Sequence, residues 1–557
     1  MDPLFIISYS SLGLLAVSTL VLIFCRKDYY YFIYNHRVLH VVGMVFSASM
    51  TSYAITTVLI WYFTDNGIDL VTSAVLMNIQ SSLSSFSVIL MAHAAHSFVG
   101  RFRTLLFSTT AYIGGLMLFW MFNPYDVKWL VVVALVLLAL GTSGANVLRD
   151  VLIDLVHDID KSEDRTKTRS IARATIWLRI AGVLGVISAI LWVATDALGG
   201  VRPSWRSSFM ICIITITTVL MIFCKGHNVY HQDALTERPV EIFFRVFRAR
   251  IQKLLKVDNS RCSTNTLGQD RSLQQNLGIE MTTNEGIAQE RSVLRLNMIG
   301  LEDRESSSYK QEDMVVIKRL LRMFPMWGVF MVVCVISATG NTFFLQQYSY
   351  LNPDKIPIQI YNLVQDSSSF LIPFLYRAIC DIRWISSVGK NEKVKIGVGM
   401  IFAIISCVSA WQLEVHRLKA VKTLPEDENT SISFLWLVPQ FCMLGCMEGL
   451  TGEGLLNFYK SQIKDEPIRS YGEEYIEIVH GFGKLLNIFL ILLLKSQREW
   501  FGDTINESRV DKYYRLLIYA CSTNFIIYCC TAKFFYKDTE QHQNSDSHDL
   551  QHDYRSG

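Results

Sequence analysis

The chain alternates long apolar runs with short polar breaks. A helix that crosses roughly 30 Å of hydrocarbon needs about 20 apolar residues. Thirteen runs meet that need, near residues 4–25, 38–63, 70–95, 104–122, 129–148, 172–195, 207–224, 318–345, 356–378, 394–412, 432–458, 472–494 and 513–535. A polar stretch from Lys225 to Ile317 separates seven of them from six. The pattern predicts an all-α polytopic membrane protein. The first run has no basic leader and no clear small-residue cleavage site before Arg26, which favours a retained anchor helix over a signal peptide. Residues 1–37 are then an extra N-terminal apolar segment with a basic loop. The other twelve runs form two six-helix halves, 38–224 and 318–536, the arithmetic of a carrier built from parallel repeats with its site at the membrane midplane.

Positive charge in the short breaks sets the orientation. One alternating set of breaks carries 19 Lys and Arg and the other 11, and the central stretch adds 13 to the first set. The first set is therefore expected on the cytoplasmic side. Within the central linker (225–317), Val240 to Lys256 places Ile242, Phe243, Val246, Phe247, Ile251 and Leu254 opposite Arg245, Arg248, Lys253 and Lys256. This reads as a basic amphipathic helix on the cytoplasmic membrane surface. A simple latch between the halves is its first reading, and the linker also offers a docking place for cytoplasmic regulators. Residues 258–312 and the tail 537–557 are polar enough to be disordered.

Composition agrees: 51% of residues are hydrophobic and 18% charged. The net charge of +3 is small and sits in the breaks, so topology accounts for it and nucleic-acid binding does not. Twelve cysteines are scattered without repeated C-x-x-C pairs, so neither a disulfide framework nor a zinc site is expected. No G-x-S-x-G, Walker loop or H-E-x-x-H is present, and the chain does not read as an enzyme. Two N-x-S sequons, at Asn429 and Asn506, fall in breaks assigned to the far side and are weak glycosylation candidates.

Several motifs, in order, resemble the plant nitrate/peptide transporter family, the proton-dependent oligopeptide transporter branch of the major facilitator superfamily. ALGTSG at Ala139 to Gly144 is similar to the family's ALGTGG. Leu321 to Gln347 resembles its seventh helix, with Pro325, Trp327 and the T-F-F run Thr342 to Phe344. FLWLVPQ at Phe434 to Gln440 and Met447 to Gln462 resemble its tenth helix, Arg469 and Ser470 its R-S pair, and Trp500 with Tyr513 and Tyr514 its last loop and helix. The resemblance covers roughly Val38 to Asp538. It implies twelve core helices and a carrier of small anionic or zwitterionic solutes (nitrate, small peptides, hormones or metabolites), usually moved with protons.

The departures are sharper than the matches. Where family members carry E-x-x-E-R in the first core helix, this chain has Val45, Ala48 and Ser49. None of these side chains can hold a proton, so the family's coupling site is absent. The fourth-helix lysine and proline become Asn146 and Val147. The D-x-x-x-G-R loop keeps Gly100 and Arg101, a candidate gate, with His96 at the acid. Glu448 is kept, and the second glutamate of the tenth helix aligns with Asn457.

In the eleventh core helix Glu473, Glu477, His480 and Lys484 recur at spacings of four, three and four, which puts them on one helical stripe. Ionisable groups in membrane helices are costly and usually functional. Two readings stand: a displaced proton relay, with Glu477 as acceptor, His480 titrating near neutrality and Lys484 as counter-ion or anion ligand; or interfacial glutamates with Lys484 paired for structural reasons. Glu453 is expected to pair with Lys484 or Arg179. Asp366, Asn341, Trp327 and Tyr53 are further cavity candidates, while His93 and His96 are expected as solvated or capping groups. The reading is a transporter working by alternating access, alternatively a non-transporting sensor or membrane scaffold. It would need no cofactor beyond coupling protons, and sit among membrane lipid, in the plasma membrane ahead of internal ones.

Overall fold

A computed structural model describes residues 36–97, 99–122, 128–161, 167–198, 205–225, 320, 322–348, 359–381, 392–423, 434–463, 469, 471–498 and 500–553. The first apolar run, the amphipathic stretch Val240 to Lys256 and Asn429 lie outside them. The described residues form twelve long helices and no strand. They are α1 (His36–Asp65), α2 (Leu70–Ser97), α3 (Arg101–Met121), α4 (Lys128–Lys161), α5 (Lys167–Leu198) and α6 (Trp205–Lys225), then α7 (Phe324–Tyr348), α8 (Gln359–Asp381), α9 (Glu392–Thr423), α10 (Val438–Gln462), α11 (Gly472–Arg498) and α12 (Val510–Asp553). The chain divides into two compact units, one of residues 1–236, 325–461 and 469–557 and one of 237–324 and 462–468. Everything described below belongs to the first.

Ten of the twelve helices are long and apolar enough to cross a membrane by composition alone. The two that fall short, α8 and α10, carry Asn362, Gln365, Asp366 and Arg377, and Glu448, Glu453 and Lys460. Several helices outrun their apolar cores: α4 continues to Lys161 and α9 to Thr423, because the charged residues there keep a helical pattern with no proline or glycine to stop it. For the same reason the backbone of α12 stays helical to Asp553, where the polar composition alone gave a disordered tail.

Helices α1 to α6 share one apolar core. Tyr62 of α1 anchors it, edge-on to Phe119 of α3 at 5.2 Å and to Trp205 of α6 at 5.1 Å, while its hydroxyl donates to the Phe122 carbonyl at 2.9 Å. Later in the chain, Phe343 of α7 stacks on Phe501 at 5.2 Å, and the Tyr513 hydroxyl of α12 donates to Asn487 of α11 at 2.6 Å. Without a hydrophobic drive between helices in lipid, close backbone approach holds them together. On α10, Gly445 and Gly449 let the helix press onto the Gln365 and Ser369 carbonyls of α8; a β-carbon at either position would overlap them. Large apolar side chains such as Leu90, Phe107, Trp129, Ile214, Phe489 and Ile526 point outward, as a lipid-facing surface requires.

The two sets of six meet most extensively where α11 packs along α2. Ser82 donates to the Gly481 carbonyl at 3.0 Å, and Phe86 sits edge-on to Phe482 at 5.0 Å.

Candidate solute cavity and the charged stripe of α11

A cavity of about 340 Å³ opens between α1, α2, α4, α7, α8 and α11. Hydroxyls and amides recur in its wall, Ser52, Tyr53 and Thr56 from α1, Asn78, Gln80, Ser81, Ser84 and Ser85 from α2, Tyr112 from α3, Thr142 from α4, Asn341 and Thr342 from α7, and Asn362 and Gln365 from α8, between apolar groups such as Ile55, Leu59, Met77 and Leu138. Asn341 and Thr342 belong to a π-helical turn, Gly340–Phe344, interrupting α7. Such turns are rare and frequent at functional sites. Asp366, Glu477 and Lys484 are the charged groups in the lining.

The stripe on α11 is held against α2 rather than left open. Ser85 donates to Glu477 Oε2 at 3.1 Å and accepts from Lys484 Nζ at 3.0 Å, so one serine links the two charges. Lys484 also donates to the Ser81 carbonyl at 3.4 Å, and His480 Nδ1 lies 3.6 Å from Glu477 Oε1. On its other side His480 meets the Cys334 thiol of α7. Glu473, one turn earlier, pairs with Arg149 of α4. At the opposite end of α11, Lys495 pairs with Asp69 at 2.8 Å, beside a backbone hydrogen bond from Leu70 N to the Asp503 carbonyl at 3.0 Å. Burial alone would raise the Asp69 carboxyl, but hydrogen bonds from Lys495 and Thr72 outweigh it and hold the group below the ordinary carboxylate range. Thus α11 is tied across the interface near both ends and at its middle.

Across the cavity, Asp366 accepts a hydrogen bond from Tyr53 at 2.5 Å, joining α8 to α1, and lies within electrostatic reach of Arg179 on α5, whose guanidinium sits 4.5 Å above the Phe370 ring. Glu448 accepts from Ser337 at 2.5 Å and from Gln365 at 2.9 Å.

Other expected residues fall elsewhere. Glu453 pairs with Lys395 at 2.8 Å and with Arg377, not with Lys484 or Arg179, because five residues beyond Glu448 its side chain faces α8 and α9. Asn457 donates to Glu392 at 2.9 Å at the start of α9, away from the cavity lining. Asn146 and Trp327 are half-buried on α4 and α7 and do not line it either. Gly100 precedes α3 at φ 85°, a left-handed conformation that glycine adopts without strain, and Arg101 pairs with Asp154 of α4. Asn506 accepts from the buried Arg417, and Ser508 of its sequon is fully buried.

Sequence reading missed the serines of α2, since a serine in an apolar run carries no signal by itself. It also missed Glu414 and Arg417, which lay in a stretch read as a loop. No group of three or more potential metal ligands occurs among the described residues.

Twelve helices enclosing a polar cavity between two sets of six make a polytopic membrane transporter of the major facilitator fold. A family model described as PTR2, POT family, matches residues 102–506, most of the chain, and the chain belongs to that family. Among plant relatives, Protein NRT1/PTR FAMILY 5.7 of Arabidopsis thaliana is 25% identical over 90% of this chain and 88% of its own, and Protein NRT1/PTR FAMILY 5.9 of the same plant 25% identical over 84% and 89%. Among solved structures, the POT family transporter PepTSo superposes with a TM-score of 0.64 at 14% identity, covering 90% of this chain and 99% of its own. An auto-inhibited POT family peptide transporter gives 0.61 at 14%, covering 89% and 97%.

Proposed function

We propose that this transporter moves a small polar solute by alternating access, without the E-x-x-E-R proton site, and that coupling acts through Glu477, His480 and Lys484. The carrying observation is the bridge through Ser85, which joins Glu477 and Lys484 beside the cavity and across the α2–α11 interface. The family resemblance implies an anion or a zwitterion, and one solved relative is a peptide transporter. The charges of the lining favour a solute without net negative charge, zwitterionic or neutral: Asp366 and Glu477 are set against Lys484, with Arg179 facing Asp366. A free oxyanion such as nitrate would meet no surplus of cations.

A proton arriving on Glu477 removes the carboxylate that faces Lys484 and His480. The α2–α11 contact then loses its charge-assisted centre, the kind of local change that biases a two-state interface. Reclosing requires that proton to leave, which ties solute passage to proton passage. The cationic side, with Arg149 and Glu473, is the expected cytoplasmic end, and the plasma membrane the expected site. The central linker 225–317 stays a docking place for regulators.

The test is uptake in voltage-clamped oocytes at pH 5.5 and 7.5, comparing wild type with Glu477→Gln. Uptake that rises at acid pH, with the rise lost in Glu477→Gln, is the expected result. Uptake indifferent to pH and to the substitution refutes coupling on α11. No uptake of any offered solute, with protein present at the surface, supports a non-transporting sensor or scaffold instead.

A further inference from the structure

Ten cysteines lie among the described residues, and eight of them are buried or half-buried, the usual place for a small apolar side chain. The two exceptions are neighbours. Cys529 and Cys530, near the end of the apolar part of α12, are both exposed. Cys530 belongs to an outward stripe of Tyr519, Thr523, Ile526, Cys530 and Lys533, whose alternating spacings of four and three keep it on one side of the helix. Cys529 stands beside that stripe, three residues after Ile526 and four before Lys533.

A face of this kind meets lipid. Lys533 marks where the hydrocarbon stops, because its ammonium reaches for headgroups and water. The thiols lie one turn inside that mark, about 4.5 and 6 Å along the axis, at the boundary between acyl chains and headgroups. From Cys530 back to Tyr519 the stripe rises about 16 Å, close to half of a hydrocarbon core, so it is one leaflet long. By alternation of the twelve crossings, α12 leaves the membrane on the side where α6 ends at Lys225 and where the breaks carry more Lys and Arg, the expected cytoplasmic side.

Two exposed thiols have few structural uses in this position. Consecutive Cα atoms are about 3.8 Å apart, closer than the ~4.4 Å lower end for a disulfide, so the helix does not join the pair to each other. A structural zinc site takes about four ligands, and no group of three or more candidates occurs among the described residues.

We propose that Cys529 and Cys530 are S-acylation sites, which take long-chain saturated acyl groups from an acyl-coenzyme A through a membrane-bound acyltransferase. Juxtamembrane cysteines accept such groups reversibly. The cysteine sulfur attacks the acyl carbonyl carbon and a new C–S bond forms to the protein. The C–S bond to coenzyme A breaks, and the cysteine proton leaves with the coenzyme A thiol. No electrons change hands. The attached chain runs back along Ile526, Thr523 and Tyr519 into its leaflet. Cys224, one residue before Lys225 at the matching end of α6, is the internal comparison: it is half-buried and packs against the core of α1 to α6, so it takes no acyl group. The modification holds whichever solute the carrier moves and wherever coupling acts.

The experiment expresses the full chain in plant cells fed an alkynyl analogue of palmitate, then isolates the protein from membranes and reads the label before and after neutral hydroxylamine, which cleaves thioesters. Wild type is compared with Cys529→Ser, Cys530→Ser, the double variant and Cys224→Ser. The expected result is a hydroxylamine-labile label on wild type, unchanged in Cys224→Ser and lost in the double variant. Loss in only one of the single variants supports the proposal and names the acceptor. In parallel, mass spectrometry of wild-type protein reads the tryptic peptide Leu516 to Lys533, which holds Cys521, Cys529 and Cys530, so the result stands even where a variant fails to fold. Acyl mass is expected on Cys529 or Cys530 and not on the buried Cys521. No label on wild type, a label that resists hydroxylamine, or a label undiminished in the double variant overturns the proposal.

Discussion

Helix α9 buries an ion pair completely. Glu414 and Arg417 are each 0% exposed. Arg417 donates to both Glu414 oxygens, at 3.0 and 2.7 Å, and also to the Ile505 carbonyl at 3.1 Å and to Asn506. Gln347 of α7 adds a hydrogen bond to Glu414 at 2.8 Å. The pair therefore pins α7 and the α11–α12 loop to α9. Substituting Glu414→Leu removes the two hydrogen bonds from the guanidinium to the carboxylate and the charge paired with it. Removing one partner of a buried pair costs about 3–5 kcal/mol, while replacing both by apolar residues is often nearly neutral. The Glu414→Leu, Arg417→Met double variant should then recover at least ~2 kcal/mol of what Glu414→Leu loses, a non-additivity within the range for groups in contact. Denaturant unfolding of the purified protein in one detergent, across the four members of the cycle, measures this. A Glu414→Leu variant within ~1 kcal/mol of wild type, or a double variant as unstable as the single, would refute the reasoning.

Two further outcomes follow from the helix contacts. The Lys495 contact keeps the Asp69 carboxyl depressed, so its contribution is present above the unfolded value of about 3.9 and is lost only as pH falls through the lower folded value; labelling of a cysteine placed beside Asp503 should be unchanged between pH 5.5 and 7.5 and increase in Asp69→Asn, and a pH-sensitive wild type would contradict the assignment. At the α8–α10 contact, Gly445→Leu should push the helices apart at the Gln365 carbonyl, abolishing uptake and lowering the unfolding midpoint, whereas Gly452→Ala, with open space around its added β-carbon, should do neither.

The helices were readable because about twenty apolar residues in a row have few other uses. Their ends were less so. The stretch from Arg149 to Lys161 is charged enough to look like a loop, yet α4 runs through it. Residues 412–430 gave the same impression, and there the shortfall hid Glu414 and Arg417, since opposite charges three apart at the end of an apolar run look solvated until the neighbouring helices bury them. The α11 stripe was legible from spacing alone, because helical period puts Glu477, His480 and Lys484 on one side. Which residues face that stripe was not legible: Ser81 and Ser85 become its partners only through the packing of α2 on α11. Glu453 shows the limit from the other side. Its charge was plain, but choosing Lys395 and Arg377 over Lys484 depends on which helices lie across from α10.

The surroundings of α1 bear on the proposed place of coupling. Near the positions taken by Val45, Ala48 and Ser49, a void of about 40 Å³ is lined by Ser47, Thr51, Ser108, Tyr112 and Gly144. Ser47 and Thr51 give their protons to the Met44 and Ser47 carbonyls, at 3.0 and 2.7 Å. Among the described residues no carboxylate or cation lines the void, so it holds no group that changes charge near neutral pH. This small space lies within the first six helices, whereas Glu477 stands at the contact of α11 with α2. A charge change inside one rigid half must be relayed before it reaches the other. Under the proposed reading, a charge change at the α2–α11 contact acts on the hydrogen bonds that hold the two sets of helices together, a direct route from proton to interface.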